Sequence, residues 1–482
     1  MTQDNFDMVA AARQEMLDHG FEPDFAPEAD RQLAAIEPRA EAGLRDLTGL
    51  LWSSIDNDDS RDLDQIEWAE RTSEGIRVLV GVADVDSLVG KATPIDAHAA
   101  RETTTVYTGI RVFPMLPERL STDLTSLGEG VERTAVVIEM MVAADGSVAK
   151  SGIYRARVRN RAQLAYNAVG AWLDGAGPAP EKVAASTDLA AQLKLQDEAA
   201  GILREARHRL GALTFDRMEV QPVFAEGKVT NVTARAANRA AHLIEDFMIA
   251  ANEVMARTLR DAGVSSIRRV VKAPERWARI VELASHYGDK LPATPDAGAL
   301  NQFLVRRKAA DAVHYADVSL SVLKLMGPGE YVLMRPGDEA QGHFGLAALD
   351  YTHSTAPNRR FADVVTQRLI KAHVAGTQAG YTDDELDGIA KNCTLKEDAA
   401  RKVERAMNKR LAAVALRNRI GEEFQAVVTG NTPKGVFVRV FDPPVEGRLM
   451  RGAQGLDVGD RLRVTLLSTD PQRGFLDFGK VS

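Results

Sequence analysis

The sequence contains a single cysteine, Cys393, among its 482 residues. One thiol excludes disulfides within the chain and zinc sites built from several thiolates. No apolar run approaches the ~20 residues of a membrane-spanning helix, and the N-terminus, which carries Asp4, Asp7 and Glu15, lacks the pattern of a signal peptide. These absences predict a cytoplasmic protein that does not enter a membrane.

Several catalytic and cofactor motifs are also missing. The chain has no Gly-x-Ser-x-Gly elbow, no phosphate-binding loop and no dinucleotide fingerprint. Its nine histidines are scattered without the spacing of metal ligands. We therefore expect no organic cofactor.

Positively charged residues are slightly outnumbered overall, 60 Lys and Arg against 68 Asp and Glu, but exceed acidic residues near the C-terminus. The formal net charge is -8, which argues against an indiscriminate polyanion binder. Residues 401–482 nevertheless carry fifteen Lys and Arg against nine Asp and Glu, and most of that excess lies in Arg401–Arg419. A basic segment on an acidic protein indicates localised contact with a polyanion.

The periodicity of apolar residues divides the chain into three parts. Residues 1–45 predict short helices, which form either a helix-turn-helix or a cap packed on the next domain. Residues 46–419 mix strands and helices, as in one large α/β body. Residues 420–482 predict five short strands, which are typical of an OB-fold.

A dense group of carboxylates lies between two β-prone apolar segments. Five aspartates fall within nine residues: Asp56, Asp58, Asp59, Asp62 and Asp64. Because carboxylates at this density repel one another unless cations or water screen them, the segment is either a site for hard cations such as Mg²⁺ or a solvated turn. An EF-hand is excluded, since its sixth loop position requires glycine and here holds Arg61.

A second segment, residues 352–363, carries two arginines just after a proline. Pro357 predicts a helix start, so that Arg359 and Arg360 would lie in the first turn. The helix dipole disfavours cations there, and a bound phosphate would reverse that penalty, because N–H groups and guanidinium groups bind it together. The alternative is an ion pair between Arg359 and Asp363, worth only ~0.3–0.5 kcal/mol on a helix surface.

Carboxylates that bind metal, arginines that bind phosphate and an OB-like domain behind a basic helix together indicate phosphodiester hydrolysis. Two metal ions about 3.5–4 Å apart would activate water and stabilise the leaving oxygen. In the OB-like domain, Lys434, Phe437 and Arg439 are candidates for phosphate contacts and base stacking. The alternative is that Phe437 and Phe441 belong to the core, which we expect of at least one of them.

These segments resemble the ribonuclease II family of exoribonucleases over roughly residues 46–418. The family pattern of Asp, five residues, Asp, one residue, Asp-Asp is matched by Asp56, Asp62, Asp64 and, as a departure, Gln65. Further resemblances lie at 81–85, 113–117 with 120–121, 243–248, 343–346 and 357–363. The C-terminal segment is similar to the family's OB-fold RNA-binding domain.

The resemblance implies processive, Mg²⁺-dependent 3′-to-5′ hydrolysis of single-stranded RNA to nucleoside 5′-monophosphates, by a protein that we expect to be a monomer. By position, Asp56, Asp62 and Asp64 would hold two metal ions, with Asp64 the most critical. Arg359 would contact the scissile phosphate. The other candidates for RNA contacts are Tyr107, which matches the aromatic that stacks near the 3′ end, and Phe215, Glu404 and Arg360.

Two departures from the family leave other functions open. Gln65 replaces an aspartate; its amide oxygen can ligate Mg²⁺ but adds no charge, so one ion would bind more weakly. Helical residues 1–45 stand where the family has cold-shock OB-folds. The alternatives are an RNA-binding protein built on a catalytically impaired nuclease body, and a nuclease directed at DNA or structured RNA.

Overall fold

The computed structural model describes residues 6–37, 43–215, 218–225, 228–311 and 315–481. Within these ranges the helices are α1 (Met8–Asp18), α2 (Pro27–Ala35), α3 (Pro94–Glu102), α4 (Tyr166–Leu173), α5 (Glu181–Ala184), α6 (Thr187–Arg209), α7 (Arg239–Asp261), α8 (Trp277–His286), α9 (Ala297–Ala310), α10 (Tyr315–Met326), α11 (Phe361–Val374) and α12 (Asp383–Leu416). The strands are β1 (Arg45–Asp46), β2 (Trp52–Asp56), β3 (Gln65–Thr72), β4 (Gly75–Ala83), β5 (Val106–Tyr107), β6 (Val112–Phe113), β7 (Glu132–Val142), β8 (Val148–Ala165), β9 (Met218–Ala225), β10 (Lys228–Ala236), β11 (Ser266–Val270), β12 (Glu330–Met334), β13 (Glu423–Thr432), β14 (Gly435–Val440), β15 (Glu446–Arg451), β16 (Arg461–Asp470) and β17 (Phe475–Lys480).

A six-stranded sheet in the order β1-β8-β2-β3-β4-β7 forms the centre of the body. Strand β8 is 18 residues long. Its first part pairs antiparallel with β7 and its last part pairs parallel with β2, so the sheet curls back on itself. This curvature brings the end of β2 and the start of β3 to one edge of the body.

The two faces of this sheet are covered differently because side chains alternate along each strand. Val78, Val80 and Val82 of β4 face a large core that includes residues of α6, α7 and α11. Ile66 and Leu79 belong to a separate core on the opposite face. The sheet is therefore buried on both sides, as expected of a mixed α/β body.

The 34-residue helix α12 connects the body, the N-terminal helices and the C-terminal barrel. It begins with a capping box in which Thr382 and Glu385 satisfy each other's backbone N–H groups. Met8 and Met16 of α1 pack against Val403 and Met407 of α12 in one hydrophobic cluster. Helix α2 packs on α3, while residues 1–5 and 38–42 of the N-terminal region lie outside the described residues.

The C-terminal strands form a closed barrel in the order β13-β14-β15-β17-β16. Its interior is apolar and includes Val438, Val464, Leu466 and Phe478. The five strands agree with the five predicted from the sequence, and the mixed α/β body with a small C-terminal β-barrel confirms the predicted fold class. No helix in the described part of the chain is long and apolar enough to cross a membrane.

Candidate active site

The aspartate segment is a loop between β2 and β3, and side chains from elsewhere hold it in place. Leu63 is buried, and its backbone N–H donates to Ser126 Oγ at 3.1 Å. The same hydroxyl donates to the carbonyl of Arg61 at 2.7 Å. The loop is thereby fixed at the edge of the sheet, with Asp58 and Asp59 exposed and Asp64 turned inward at 3% exposure.

Asp64 meets the arginine segment although 294 residues separate the two in sequence. Its Oδ1 accepts a hydrogen bond from the Asn358 backbone N–H at 3.0 Å. Arg359 Nε lies 3.4 Å from its Oδ2. Burial raises the pKa of Asp64 to about 7, against the opposing effects of Arg359 and the Asn358 N–H. A carboxylate and a guanidinium are thus paired at the same point of the molecule.

Asp62 and Tyr107 form a second contact beside this pair. The Tyr107 hydroxyl donates to Asp62 Oδ2 at 3.2 Å. The Tyr107 backbone N–H donates to Glu404 Oε1 of α12 at 3.2 Å. Tyr107 and Glu404 line one cavity together with Arg359 and Arg360. Four residues proposed from the sequence to contact RNA or phosphate are therefore neighbours in space.

Asp56 is the last residue of β2 and faces the start of the loop. Its Oδ1 accepts hydrogen bonds from the Asn57 N–H at 2.7 Å and from Ser60 Oγ at 3.1 Å. Burial raises its pKa, against these hydrogen bonds and the nearby charge of Arg359. Asp56 is therefore close to the same arginine that faces Asp64.

Gln65 and Glu67 are the polar residues at the start of β3. Gln65 is half-buried. Glu67 is fully buried, and in the described part of the molecule neither of its carboxylate oxygens has a hydrogen-bond partner. Burial, and then the charge of Asp56, hold the pKa of Glu67 well above its usual range. Glu67 was not among the residues predicted from the sequence, although its position between the apolar residues Ile66 and Trp68 was a signal for it.

This set of carboxylates implies a divalent metal, for which both the spacing and the chemistry of the side chains matter. Among the residues that the structure describes, no three His, Cys, Asp or Glu side chains are close enough to form a ready-made metal site. Asp56, Asp62 and Asp64 instead each accept a hydrogen bond from a neighbouring donor. Their oxygen donors suit Mg²⁺. The two carboxylate oxygens of Glu67, which have no hydrogen-bond partner among the described residues, are available to coordinate a cation or to balance its charge. By its chemistry, this set of oxygen donors therefore fits a hard cation.

The predicted helix start at Pro357 is wrong, and the two arginines have different surroundings. Helix α11 begins at Phe361, with Arg360 as its N-cap residue and Arg359 in the preceding turn. Arg360 donates from Nε and Nη2 to the carboxylate of Asp363 at 2.9 and 2.7 Å. The helix forms one turn later because Arg360 has an extended backbone that bridges Thr104, so the helical conformation starts only at Phe361. Asp363 also accepts a hydrogen bond from the Ala356 N–H. The ion pair expected for Arg359 is therefore made by Arg360.

A buried polar layer lies behind the cavity, and sequence reasoning did not find it. Tyr331 OH and His353 Nδ1 are 2.7 Å apart. Arg269 forms two hydrogen bonds with Glu397, at 2.5 and 2.9 Å. Tyr331, His353 and Glu397 all line the cavity. These residues come from distant segments, so no local spacing in the sequence connects them.

The remaining candidates lie away from this cavity. Phe215 is half-buried and packs against the apolar cluster of α8, α9 and α10. In the barrel, Lys434 is exposed in the turn before β14, whereas Phe437 and Arg439 alternate with the inward-facing Val436, Val438 and Val440. Phe441 is 38% exposed. The expectation that Phe437 or Phe441 belongs to the barrel core is therefore wrong, because the inward-facing positions of β14 are occupied by valines.

An acidic loop that faces an arginine beside an aromatic side chain is a set of groups suited to a cation and a phosphate, as in enzymes of the phosphodiesterase class. Comparison with known proteins identifies the family. The RNB domain matches residues 44–376, and the RNase II-type exonuclease C-terminal S1 domain matches residues 422–481. The chain belongs to the RNB-domain exoribonuclease family of the ribonuclease II and ribonuclease R type, which confirms the resemblance seen in the sequence.

Individual relatives support the same assignment. Ribonuclease R of Thermotoga maritima is 29% identical over 94% of this chain and 68% of that protein. The structure of Mycoplasma genitalium RNase R in complex with ribose-methylated single-stranded RNA is 22% identical with a TM-score of 0.88, covering 99% of this chain and 78% of that one. Yeast Ssd1, a pseudonuclease, is 18% identical with a TM-score of 0.74, covering 92% and 56%. The chain spans about half to two thirds of the length of the curated relatives it matches.

Proposed function

We propose that this protein is a Mg²⁺-dependent 3′-to-5′ exoribonuclease that degrades single-stranded RNA processively to nucleoside 5′-monophosphates. The observation that carries the proposal is the pairing of Asp64 with Arg359, at 3.4 Å, beside a cavity lined by Tyr107 and Glu404. A carboxylate that can hold a cation and a guanidinium that can hold a phosphate are the two charges that phosphodiester hydrolysis requires.

The acidic residues and the arginine have different partners: the acidic residues would bind the metal ions, and the arginine would bind the negatively charged phosphate. Asp56, Asp62 and Asp64, with the amide oxygen of Gln65, would hold the ions. When bound, two Mg²⁺ ions supply Lewis-acid stabilisation of the phosphate and activation of the attacking water. Arg359, whose side chain is 47% exposed, is available to bind the scissile phosphate. Arg360, which is paired with Asp363, is better suited to hold the turn that presents Arg359.

Tyr107 accounts for degradation without sequence preference. Its ring is 42% exposed at the cavity, and an aromatic face stacks on any base. The contacts of its hydroxyl with Asp62 and of its backbone with Glu404 hold the ring between the acidic loop and α12. We propose that the 3′-terminal base stacks here, so that the last phosphodiester bond lies over Asp64.

The barrel would bind RNA upstream of the cavity. Lys434 supplies a cation, and Phe437 and Arg439 lie on the outward-facing positions of β14. Such a surface suits the backbone and bases of a single strand. We further propose that the protein acts as a cytoplasmic monomer, a setting in which the buried thiol of Cys393 stays reduced.

Two other functions are alternatives to this proposal. The pseudonuclease among the similar structures has the same fold, and Gln65 removes one charge from the acidic loop, so an RNA-binding protein with an impaired nuclease body is the main rival. Asp56, Asp62, Asp64 and Arg359 argue against it, because decay of a site should remove more than one member. A nuclease directed at DNA or structured RNA is the second rival.

One experiment separates the three functions. End-labelled single-stranded RNA, a tailed RNA hairpin and single-stranded DNA are incubated with the protein, with and without Mg²⁺, beside Asp64→Asn. We expect RNA to be shortened from its 3′ end only with Mg²⁺ and only by the unsubstituted protein. RNA that is bound but never shortened would favour the pseudonuclease, and equal cutting of DNA or of the hairpin stem would favour the second rival.

A further inference from the structure

Strand β3 carries two polar side chains on the face that covers the main core. Gln65 and Glu67 are two residues apart, so both point to the same side of the strand. Ala69, the next residue on that side, belongs to the main core, as do Val80 and Val82 on the neighbouring strand. Glu67 is therefore a charged residue on the face that covers the main core, two residues after the position where the acidic pattern is broken.

The surroundings of Glu67 do not explain why a carboxylate is there. Ser53 is its partner on β2, and Val80 is its partner on β4. Gln196 of α6 lies above it, with Nε2 at 3.4 Å from the Glu67 carbonyl oxygen and at 3.5 Å from Ser53 Oγ. Gln196 Oε1 is also buried without a partner in the described part of the molecule. A buried carboxylate with no partner is unfavourable unless it is protonated or a cation compensates its charge.

The acidic loop begins close to this carboxylate. Asp56 lies three residues beyond Ser53 on β2, and its charge acts on Glu67. Gln65 lies between Glu67 and the loop along β3. Glu67 is thus a fully buried carboxylate two residues beyond Gln65, on the strand face that Gln65 shares.

We propose that Glu67 belongs to the metal centre and supplies the negative charge that Gln65 lacks. The proposal rests on the proposed function, because it requires that the acidic loop binds a divalent cation. It relates two features of β3: the charge that is missing at Gln65 and the carboxylate that is present two residues further along the same face. In this account Glu67 acts on the cation, directly or through the amide of Gln65, and does not touch the RNA.

The test is binding of Mn²⁺, as a probe for Mg²⁺, to the full chain without RNA, followed by electron paramagnetic resonance and by calorimetry. We expect Glu67→Gln to weaken Mn²⁺ binding by about 10–100-fold, the range seen when a supporting group of a metal site is removed. The matched control is Glu70→Gln, which removes an exposed carboxylate from the same strand and should bind Mn²⁺ as the unsubstituted protein does.

A charge-transfer variant distinguishes loss of charge from loss of structure. Gln65→Asp combined with Glu67→Gln returns one carboxylate to β3 at the other position, and we expect it to recover Mn²⁺ binding. Thermal unfolding with and without Mn²⁺ gives a second readout, since a cation that binds only the folded state raises the melting temperature. That rise should be lost in Glu67→Gln and regained in the double variant.

The outcomes separate this inference from the function on which it rests. If the unsubstituted protein binds Mn²⁺ and shortens RNA while Glu67→Gln binds Mn²⁺ equally well, Glu67 is a packing residue and the inference is wrong. The inference is also wrong if the double variant is folded but binds Mn²⁺ no better than Glu67→Gln. If the unsubstituted protein neither binds Mn²⁺ nor shortens RNA, the proposed function itself fails.

Discussion

The body and the barrel use charge in opposite ways. The body buries acidic side chains such as Asp64, Glu67 and Asp363 among strands and helices. The barrel has an apolar interior and carries Lys434 and Arg448 on its exposed surface. Buried charge is costly and persists where it performs a task, whereas surface charge costs little and binds broadly. Chemistry is therefore expected in the body and capture of the strand on the barrel.

Substitution of Asp64 is the strongest test of this contrast between the body and the barrel. We expect Asp64→Asn to lower the rate of RNA hydrolysis at least about 10²–10³-fold, as when one electrostatic group of an active site is removed. Binding of RNA should change little, because the barrel surface is untouched. Hydrolysis rates under single-turnover conditions and filter-binding affinities measure the two effects. A parallel loss of affinity would indicate that the body also captures the strand.

The two arginines of the turn provide a matched pair of substitutions. Arg360→Ala leaves Asp363 buried without its partner and should cost about 3–5 kcal/mol of folding stability. Arg359→Ala removes a guanidinium that is 47% exposed, and Asp64 keeps its hydrogen bond from the Asn358 N–H, so the loss of stability should be smaller, while hydrolysis slows about 10²-fold or more. Chemical denaturation and initial rates distinguish them. Equal losses of stability would contradict the separate roles assigned to these neighbours.

Substitution of Tyr107 should change the length of the final RNA products more than it changes folding stability. Tyr107→Ala removes base stacking worth about 1–3 kcal/mol per base and should weaken the hold on short RNA, so that longer end products accumulate. Tyr107→Phe keeps the ring and loses only the hydrogen bond to Asp62, so its products should resemble those of the unsubstituted protein. A sequencing gel of the final products measures the difference. Identical end products for Tyr107→Ala would exclude stacking at this ring.

The buried charge of Asp64 also predicts a pH dependence of stability. Burial raises its pKa to about 7 in the folded protein. A carboxyl group whose pKa is raised on folding contributes stability below its ordinary pKa, and that contribution is lost as the pH rises through about 7. In EDTA, the melting temperature of Asp64→Asn relative to the unsubstituted protein should therefore increase between pH 4 and pH 8. A constant difference would contradict the raised pKa.

The smallest effect is expected on the barrel. Replacing Lys434 and Arg439 by alanine should lower RNA affinity and reduce the slope of log affinity against log salt by about 0.7 for each cation that contacts a phosphate. The hydrolysis rate of bound RNA should be unchanged. Affinity measured over a series of salt concentrations gives the slope. An unaltered slope would move the binding surface to the basic end of α12.

The sequence predicted the positions of the acidic loop, the arginine segment and the barrel because each depends on local patterns. The division of work between Arg359 and Arg360 was not predictable, since it depends on which of them reaches Asp363 and which reaches Asp64 in a distant part of the sequence. Glu67 was passed over for a similar reason. The role of Glu67 depends on the residues that lie next to it in the folded sheet, and none of these is adjacent to it in sequence.

Helix α12 has a consequence for substrate length. Glu404 lies at the cavity, and the helix continues to Leu416, whose side chain belongs to the barrel's hydrophobic cluster. At 1.5 Å per residue, this straight segment is about 18 Å long. The helix also contacts the barrel closer to the cavity, where Arg410 Nε donates to the Gln472 carbonyl between β16 and β17 at 3.2 Å. Helix α12 thus fixes the position of the barrel relative to the cavity, with the barrel's hydrophobic cluster about 18 Å from Glu404 along the helix. RNA too short to cross that distance would be degraded without help from the barrel, so substitutions on the barrel should lose their effect as the RNA is shortened.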